Sequence, residues 1–164
     1  TKMSKFFVEQ IALCPKDPKA AMTLLLALGL NDWVSDHVTA SGVVFGDSCT
    51  NEADLRFNYQ VTRKPKSTPL ELELLTYTSG KNWMYASQPR VSHLGMHCTE
   101  EELLEWKAKF ELLGIGIAQE VFTDAHTNAH LLKLGRKYHY TIFDTYDILG
   151  VDLKFIVRID ADQE

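Results

Sequence analysis

Residues 69–78 read Pro69-Leu70-Glu71-Leu72-Glu73-Leu74-Leu75-Thr76-Tyr77-Thr78, and from Glu71 to Leu74 acid and apolar side chains alternate. Successive side chains of a strand point to opposite faces, so this run turns two carboxylates to one side and leucines to the other. A sheet face with two acids is either a solvated face or the wall of a polar cavity. The pattern returns 81 residues later as Gly150-Val151-Asp152-Leu153-Lys154-Phe155-Ile156-Val157-Arg158. Asp152 then stands where Glu71 stood, and Lys154 where Glu73 stood.

Working outward, Phe6 to Leu13 reads as a first strand ending at the Pro15-Lys16-Asp17-Pro18 turn. Asp17 can cap the helix Lys19 to Leu28, Pro18 suits its first turn, and Gly29 is a natural stop. Trp33 to Phe45 reads as extended chain around a turn at Ser41-Gly42, and Asp54 to Thr62 alternates as a half-buried strand. Lys64 to Pro69 is a turn before the opening strand. After the Gly- and Pro-containing stretch Ser79 to Arg90 the order begins again. Val91 to His97 is a strand, and Thr99 with Glu102 makes a capping box for a helix running to Leu113, with Gly114 as its stop. Leu103, Leu104, Trp106, Phe110 and Leu113 form its core-facing set. Strands follow at Gly116 to Thr123, Lys137 to Thr145 and Val151 to Ile159, and the segment Asp124 to Arg136 reads as loop with some strand.

Matched landmarks recur at a near-constant offset: Gln10 with His93 (83 residues), Gly29 with Gly114 (85) and Glu73 with Lys154 (81). The chain therefore reads as a duplicated β-α-β-β-β module, with residues 1–78 as the first copy, 79–90 as a linker and 91–164 as the second. The expected fold class is α+β: two tandem βαβββ modules, together one domain, whose curved sheets enclose a central cavity.

Composition bounds the function. At 164 residues the chain suits one ordinary domain or two small modules sharing a core. A hydrophobic content of 45% with 24% charged residues is that of a globular protein. A net charge of -5 argues against a nucleic-acid footprint, which needs a basic patch. Cys14, Cys49 and Cys98 form an odd, widely spaced set, which points to free thiols in a reducing compartment. No apolar run approaches a bilayer span. A cytoplasmic protein without membrane or nucleic-acid partners is the expectation.

The stretches VEQIALCPKDPKAA…LGL, VSHLGMHCTEEELLEWKAKFELLGI, ELELLTY and FDTYDILGVDLKFI resemble the vicinal oxygen chelate superfamily. That group holds glyoxalase I, bleomycin-resistance proteins, methylmalonyl-CoA epimerase and extradiol dioxygenases. The resemblance spans about Lys5 to Ile159. It implies a divalent metal (Zn, Ni, Fe, Mn or Mg) held by one residue in the first strand of each module and one acid in the last strand of each. Those positions fall on Gln10, Glu73, His93 and Lys154. Gln10, Glu73 and His93 match the pattern, and Glu73 would double as the catalytic base of an isomerase-type reaction. Lys154 departs from the Glu the pattern asks for, because an ammonium has no lone pair with which to ligate. Asp152, two residues earlier on the same strand face, would substitute if the strand register shifted. Glu73 and Lys154 then have two readings, a remodelled active site or an internal ion pair replacing the metal.

The resemblance accordingly implies a protein that binds a small molecule in its sheet cavity with a degraded metal site. Its alternative is a metal-dependent lyase, isomerase or dioxygenase. A homodimer is among the assemblies the superfamily uses. Glu71, His97 and Arg56 join Lys154 and Asp152 as cavity or ligand-binding candidates, with Asn58, Gln60, Tyr138 and Tyr140 as further wall candidates. His97 lies about 13 Å along the strand from His93, too far to share one ion with it. His126 and His130 would share a face for zinc only if helical. Cys14 and Cys98 read as structural thiols.

Overall fold

A computed structural model describes residues 5–63, 70–81 and 91–159. Eight strands form one closed barrel: β1 (Gln10–Leu13), β2 (Val34–Val44), β3 (Asp47–Asn58), β4 (Glu71–Ser79), β5 (His93–His97), β6 (Ile117–Ala125), β7 (Lys137–Phe143) and β8 (Asp152–Ile159). Around the barrel the order is β1-β4-β3-β2-β6-β7-β8-β5. Each half of the chain thus contributes four strands in the same internal order, and the halves meet at two antiparallel seams, β1 with β5 and β2 with β6. With four helices outside the sheet among the described residues, the class is α+β. The turn at Lys64 to Pro69 and most of the 79–90 segment lie outside the described residues, and Ser79 itself still belongs to β4.

Strand register carries the internal repeat down to single residues. In the first half β1 and β4 run parallel with Gln10 opposite Glu71 and Ala12 opposite Glu73. In the second, β5 and β8 run parallel with His93 opposite Asp152 and Gly95 opposite Lys154. The two-residue side-chain period puts Gln10, Glu71, Glu73, His93 and Lys154 on the inner face together. An apolar cluster that includes Cys14, Val38, Val44, Leu75 and Tyr77 fills the inner face toward one end of the first half. Burial pushes the Cys14 thiol up to about 12, with the Glu73 charge adding to it.

The helices cover the barrel unequally. In α2 (Glu100–Leu112) the Thr99–Glu102 capping box forms as the sequence predicts. Its buried stripe is Leu103, Trp106 and Phe110, packed on the outer face of the second half, with Phe110 stacked 4.0 Å from Phe143 and Trp106 5.0 Å from Phe155. Leu104 and Leu113 stay exposed, contrary to expectation: Leu104 is about 100° off the stripe and Leu113 is the C-cap. Helix α1 (Pro18–Ala27) is capped by Asp17, which accepts from Ala20 N at 3.0 Å, yet none of its residues is buried.

Other boundaries move for identifiable reasons. Strand β1 begins at Gln10, where pairing with both β4 and β5 begins, rather than at Phe6. Strand β2 runs straight through Ser41-Gly42, and the hairpin turn comes at Phe45-Gly46, both with positive φ. Gly42 is there for close approach, since a Cβ on it would lie 2.0 Å from the Glu120 carbonyl oxygen on β6. Strand β3 starts at Asp47, well before Asp54, because the tight hairpin pairs Val44 with Asp47 directly. Within 124–136 the chain forms a short helix, α3 (Ala129–Lys133), capped by the Asn128 side chain. A last short helix, α4 (Tyr146–Leu149), precedes β8.

Candidate functional site

Beyond the apolar cluster the barrel interior opens into a cavity of about 470 Å³. Glu71, Glu73, Gln10, Tyr138, Tyr140 and Ile156 are among its walls. The strands that place these groups are the ones whose alternation the sequence displays, so polar and apolar residues arrive on the inner face by period alone.

The polar groups form a chain. Gln10 Nε2 donates to Glu71 Oε1, and the second oxygen of Glu71 accepts from the Tyr59 hydroxyl at 2.6 Å. That orientation leaves Gln10 Oε1 facing His93 Nε2 at 2.9 Å. His93 Nδ1 lies 3.1 Å from the Val91 carbonyl. A neutral imidazole has one N–H, so it donates to only one of these two oxygens at a time. Burial, and then the Lys154 cation, hold His93 well below its ordinary pKa and keep it neutral.

Glu73 is the group with least compensation. It is 3% exposed, its Oε1 is buried without a hydrogen-bond partner, and that oxygen lies 3.8 Å from His93 Nε2. Burial raises its pKa from 4.5 to about 7, against the opposing Lys154 charge and with help from Glu71. Lys154 is also buried, and desolvation lowers its pKa while Glu73 and Glu71 pull it back up. Its Nζ lies 4.1 Å over the Tyr140 ring, a cation–π contact. The direct ion pair considered for Glu73 and Lys154 does not form. The two act on each other through the low-dielectric interior, and the contact of Glu73 is with His93.

The remaining sequence candidates scatter. Glu71 and His97 line the cavity, with the His97 side chain about half exposed and 3.8 Å from Glu9. Asp152 is buried, but its Oδ1 accepts from Tyr146 N at 3.0 Å, so it pins the α4 turn, and no register shift brings it to the site. Arg56 is a correction: β3 turns Leu55 and Phe57 inward and Asp54 and Arg56 outward, so Arg56 lines a groove beside α1 on the outer surface. Asn58 is buried but bonds Asp32 O and Gln60, away from the cavity polar chain. His126 and His130 do not form a pair, since His126 precedes α3 and bonds Asp36 while His130 is exposed in its first turn. Asp36 is the inner-face acid the sequence reading missed. Its signal was available, as the single charge among the inward positions Val34, Asp36, Val38 and Ala40 of β2.

Gln10, Glu73 and His93 converge, but as they stand they are a poor match to a divalent metal. Gln10 Oε1 and His93 Nε2, two of the three candidate ligand atoms, are bonded to each other. The third, Glu73, is close to half protonated at neutral pH. At the fourth position stands Lys154, whose ammonium form has no lone pair to ligate with and repels a cation. Among the described residues no cluster of three or more His, Cys, Asp or Glu side chains is placed to hold an ion.

No protein-family model matches the chain. Comparison with curated protein sequences finds no match either. Comparison with solved structures matches a crystal structure of methylmalonyl-CoA epimerase at 10% sequence identity and a TM-score of 0.48, covering 95% of this chain and 98% of that one. A likeness at that level carries no argument about this chain.

Proposed function

We propose that the chain binds a small molecule inside the barrel, with Glu73 on the wall of that site and Lys154 in the small adjoining space behind it, where the resemblance expects a metal. The observation that carries this reading is the buried, unpartnered Glu73 Oε1 on the wall of a cavity of about 470 Å³. A buried acceptor without a partner costs about 1–3 kcal/mol, and an occupant with a hydroxyl or N–H recovers it. The volume is in the range of small-molecule sites, and the lining combines aromatic and aliphatic side chains with polar groups able to orient an occupant.

Ligand-observed NMR with a fragment library tests the reading, using Ile156→Phe to fill the cavity. Fragments that bind the parent should lose binding in the variant, and fragments that bind both equally would refute the site. The second reading is a metal-dependent lyase, isomerase or dioxygenase, favoured by the convergence of Gln10, Glu73 and His93. Metal analysis of protein purified without chelator separates the two. Trace metal only is the expected result, and a stoichiometric divalent ion lost in Glu73→Gln would replace the first reading with the second.

A further inference from the structure

A second hydrogen-bonding centre lies on the cavity wall contributed by β2. Asp36 Oδ2 is 2.6 Å from His126 Nδ1, while Asp36 Oδ1 accepts from Thr127 N at 3.1 Å and Asn128 N at 3.0 Å. The loop bearing the imidazole is tied from outside as well: Thr127 Oγ1 accepts from His37 N, and Asn128 Nδ2 donates to Ser35 O, both at 2.9 Å. The His126 and Asp36 side chains are 4% and 1% exposed. The imidazole is therefore a buried, braced part of the cavity lining, edge-on to Tyr138 at 6.0 Å between ring centroids.

The charge state of Asp36 decides the tautomer. Burial pushes its carboxyl up, but the His126 hydrogen bond and the Asn128 and Thr127 N–H groups outweigh it and hold the pKa below the usual value. An ionised carboxylate offers only lone pairs, so the Nδ1 that faces it carries the ring proton. With a single proton on the ring, Nε2 is the acceptor, and it is buried with no hydrogen-bond partner. Bracing the loop does not require this nitrogen, because Thr127 and Asn128 already close the loop onto Asp36, Ser35 and His37.

We propose that the Asp36–His126 pair is a hydroxyl-recognising position of the cavity, in which His126 Nε2 accepts the O–H of a small molecule with an apolar or aromatic body. Asp36 fixes the first ring proton on Nδ1 and so turns the Nε2 lone pair toward the occupant, and Phe57, Leu131 and Tyr138 supply walls for the body. The assignment rests on the cavity being a ligand site and adds the group by which its ligand is chosen.

The test uses 4-fluorophenol and its methyl ether, 4-fluoroanisole, as probes that differ in the donor. The free protein should show the His126 proton on Nδ1 in its ¹⁵N spectrum, and a proton on Nε2 overturns the assignment without any ligand or variant. Fluorine NMR should show the phenol bound about fivefold to tenfold more tightly than the ether, the worth of one hydrogen bond. Its binding should shift the Leu131 and Ile156 methyl signals together with His126 Nε2. His126→Phe should abolish the preference, and His37→Gln, on the outer face, should retain it. Asp36→Asn keeps the oxygen that holds Thr127 and Asn128 but offers an amide N–H to Nδ1. It should move the ring proton to Nε2 and cancel or reverse the preference, which a merely structural role would not do. Cavity methyls that shift with His126 Nε2 unmoved and the two probes bound equally would sink the dyad assignment and leave the cavity reading standing. If neither probe shifts a cavity methyl, the cavity reading fails and takes the dyad with it.

Discussion

Glu73→Gln should change how the stability of this protein depends on pH, and the sign follows from one buried proton. Folded Glu73 keeps its proton up to pH about 7, against 4.5 for an ordinary carboxyl, chiefly because burial penalises the charged form. Between those values the unfolded chain releases a proton that the folded chain retains. The stabilising contribution of Glu73 is therefore complete below pH 4.5 and is lost as pH rises toward 7. At ~1.4 kcal/mol for each factor of ten in proton affinity, the loss amounts to about 3 kcal/mol. In a domain of this size that corresponds to a melting-temperature difference of roughly 6–12 °C.

Gln keeps the size of the side chain and cannot ionise, so it removes this term. Urea denaturation of parent and variant from pH 4.5 to 8 measures it, read as the stability difference at each pH, in which the other titrating groups largely cancel. The difference should move by about 3 kcal/mol in favour of the variant across that range. A constant difference, or one that moves toward the parent as pH rises, would refute the account of Glu73 as a buried, proton-holding acid.

Three further outcomes follow from the same geometry. Lys154→Met removes the cation that lowers the proton affinity of Glu73, so the falling limb of the stability curve should move to higher pH; carboxyl-carbon NMR of Glu73 reads the same shift directly. Gly42→Ala should cost on the order of 3 kcal/mol, because its Cβ meets Glu120 O at 2.0 Å and Val121 Cα at 2.7 Å, both backbone. Amide exchange at the β2–β6 seam should rise with it, whereas Gly116→Ala, with nothing within 4 Å, should leave that seam unchanged. Trp106→Ala should lower stability by about 3–5 kcal/mol, since it takes away the ring that packs α2 onto Phe155, and a loss under about 1 kcal/mol would show that α2 does not hold the second half.

Local rules made some of this molecule legible from its residues. The capping box at Thr99 and Glu102, the Asp17 cap and the glycine stops depend on neighbours within one turn, and they form as read. The two-residue period placed Glu71 and Glu73 on one face, and the 81-residue echo placed Asp152 and Lys154 on the corresponding one. Where the chain pairs with something distant, the reading slipped. Gly42 looked like a turn because glycine is common in turns, and only β6 passing against it shows that it is a seam. Arg56 looked like a cavity residue because the face of β3 that turns inward depends on register, which alternation alone does not select.

By itself, then, the sequence determined the repeat and the inward period of the last strand in each half, while the resemblance singled out Gln10, Glu73, His93 and Lys154 as one group. Only the tertiary structure decided what that group does. Closing the barrel buried Glu73 far enough to raise its proton affinity, set Lys154 over Tyr140 instead of onto Glu73, and turned Gln10 toward His93. It also drew Asp36 and His126, 90 residues apart in sequence, into contact on the same cavity wall. Residue identity and spacing carry the periodicity of side chains along a strand, whereas burial and charge–charge distance depend on which strands meet, and that is a property of the closed sheet.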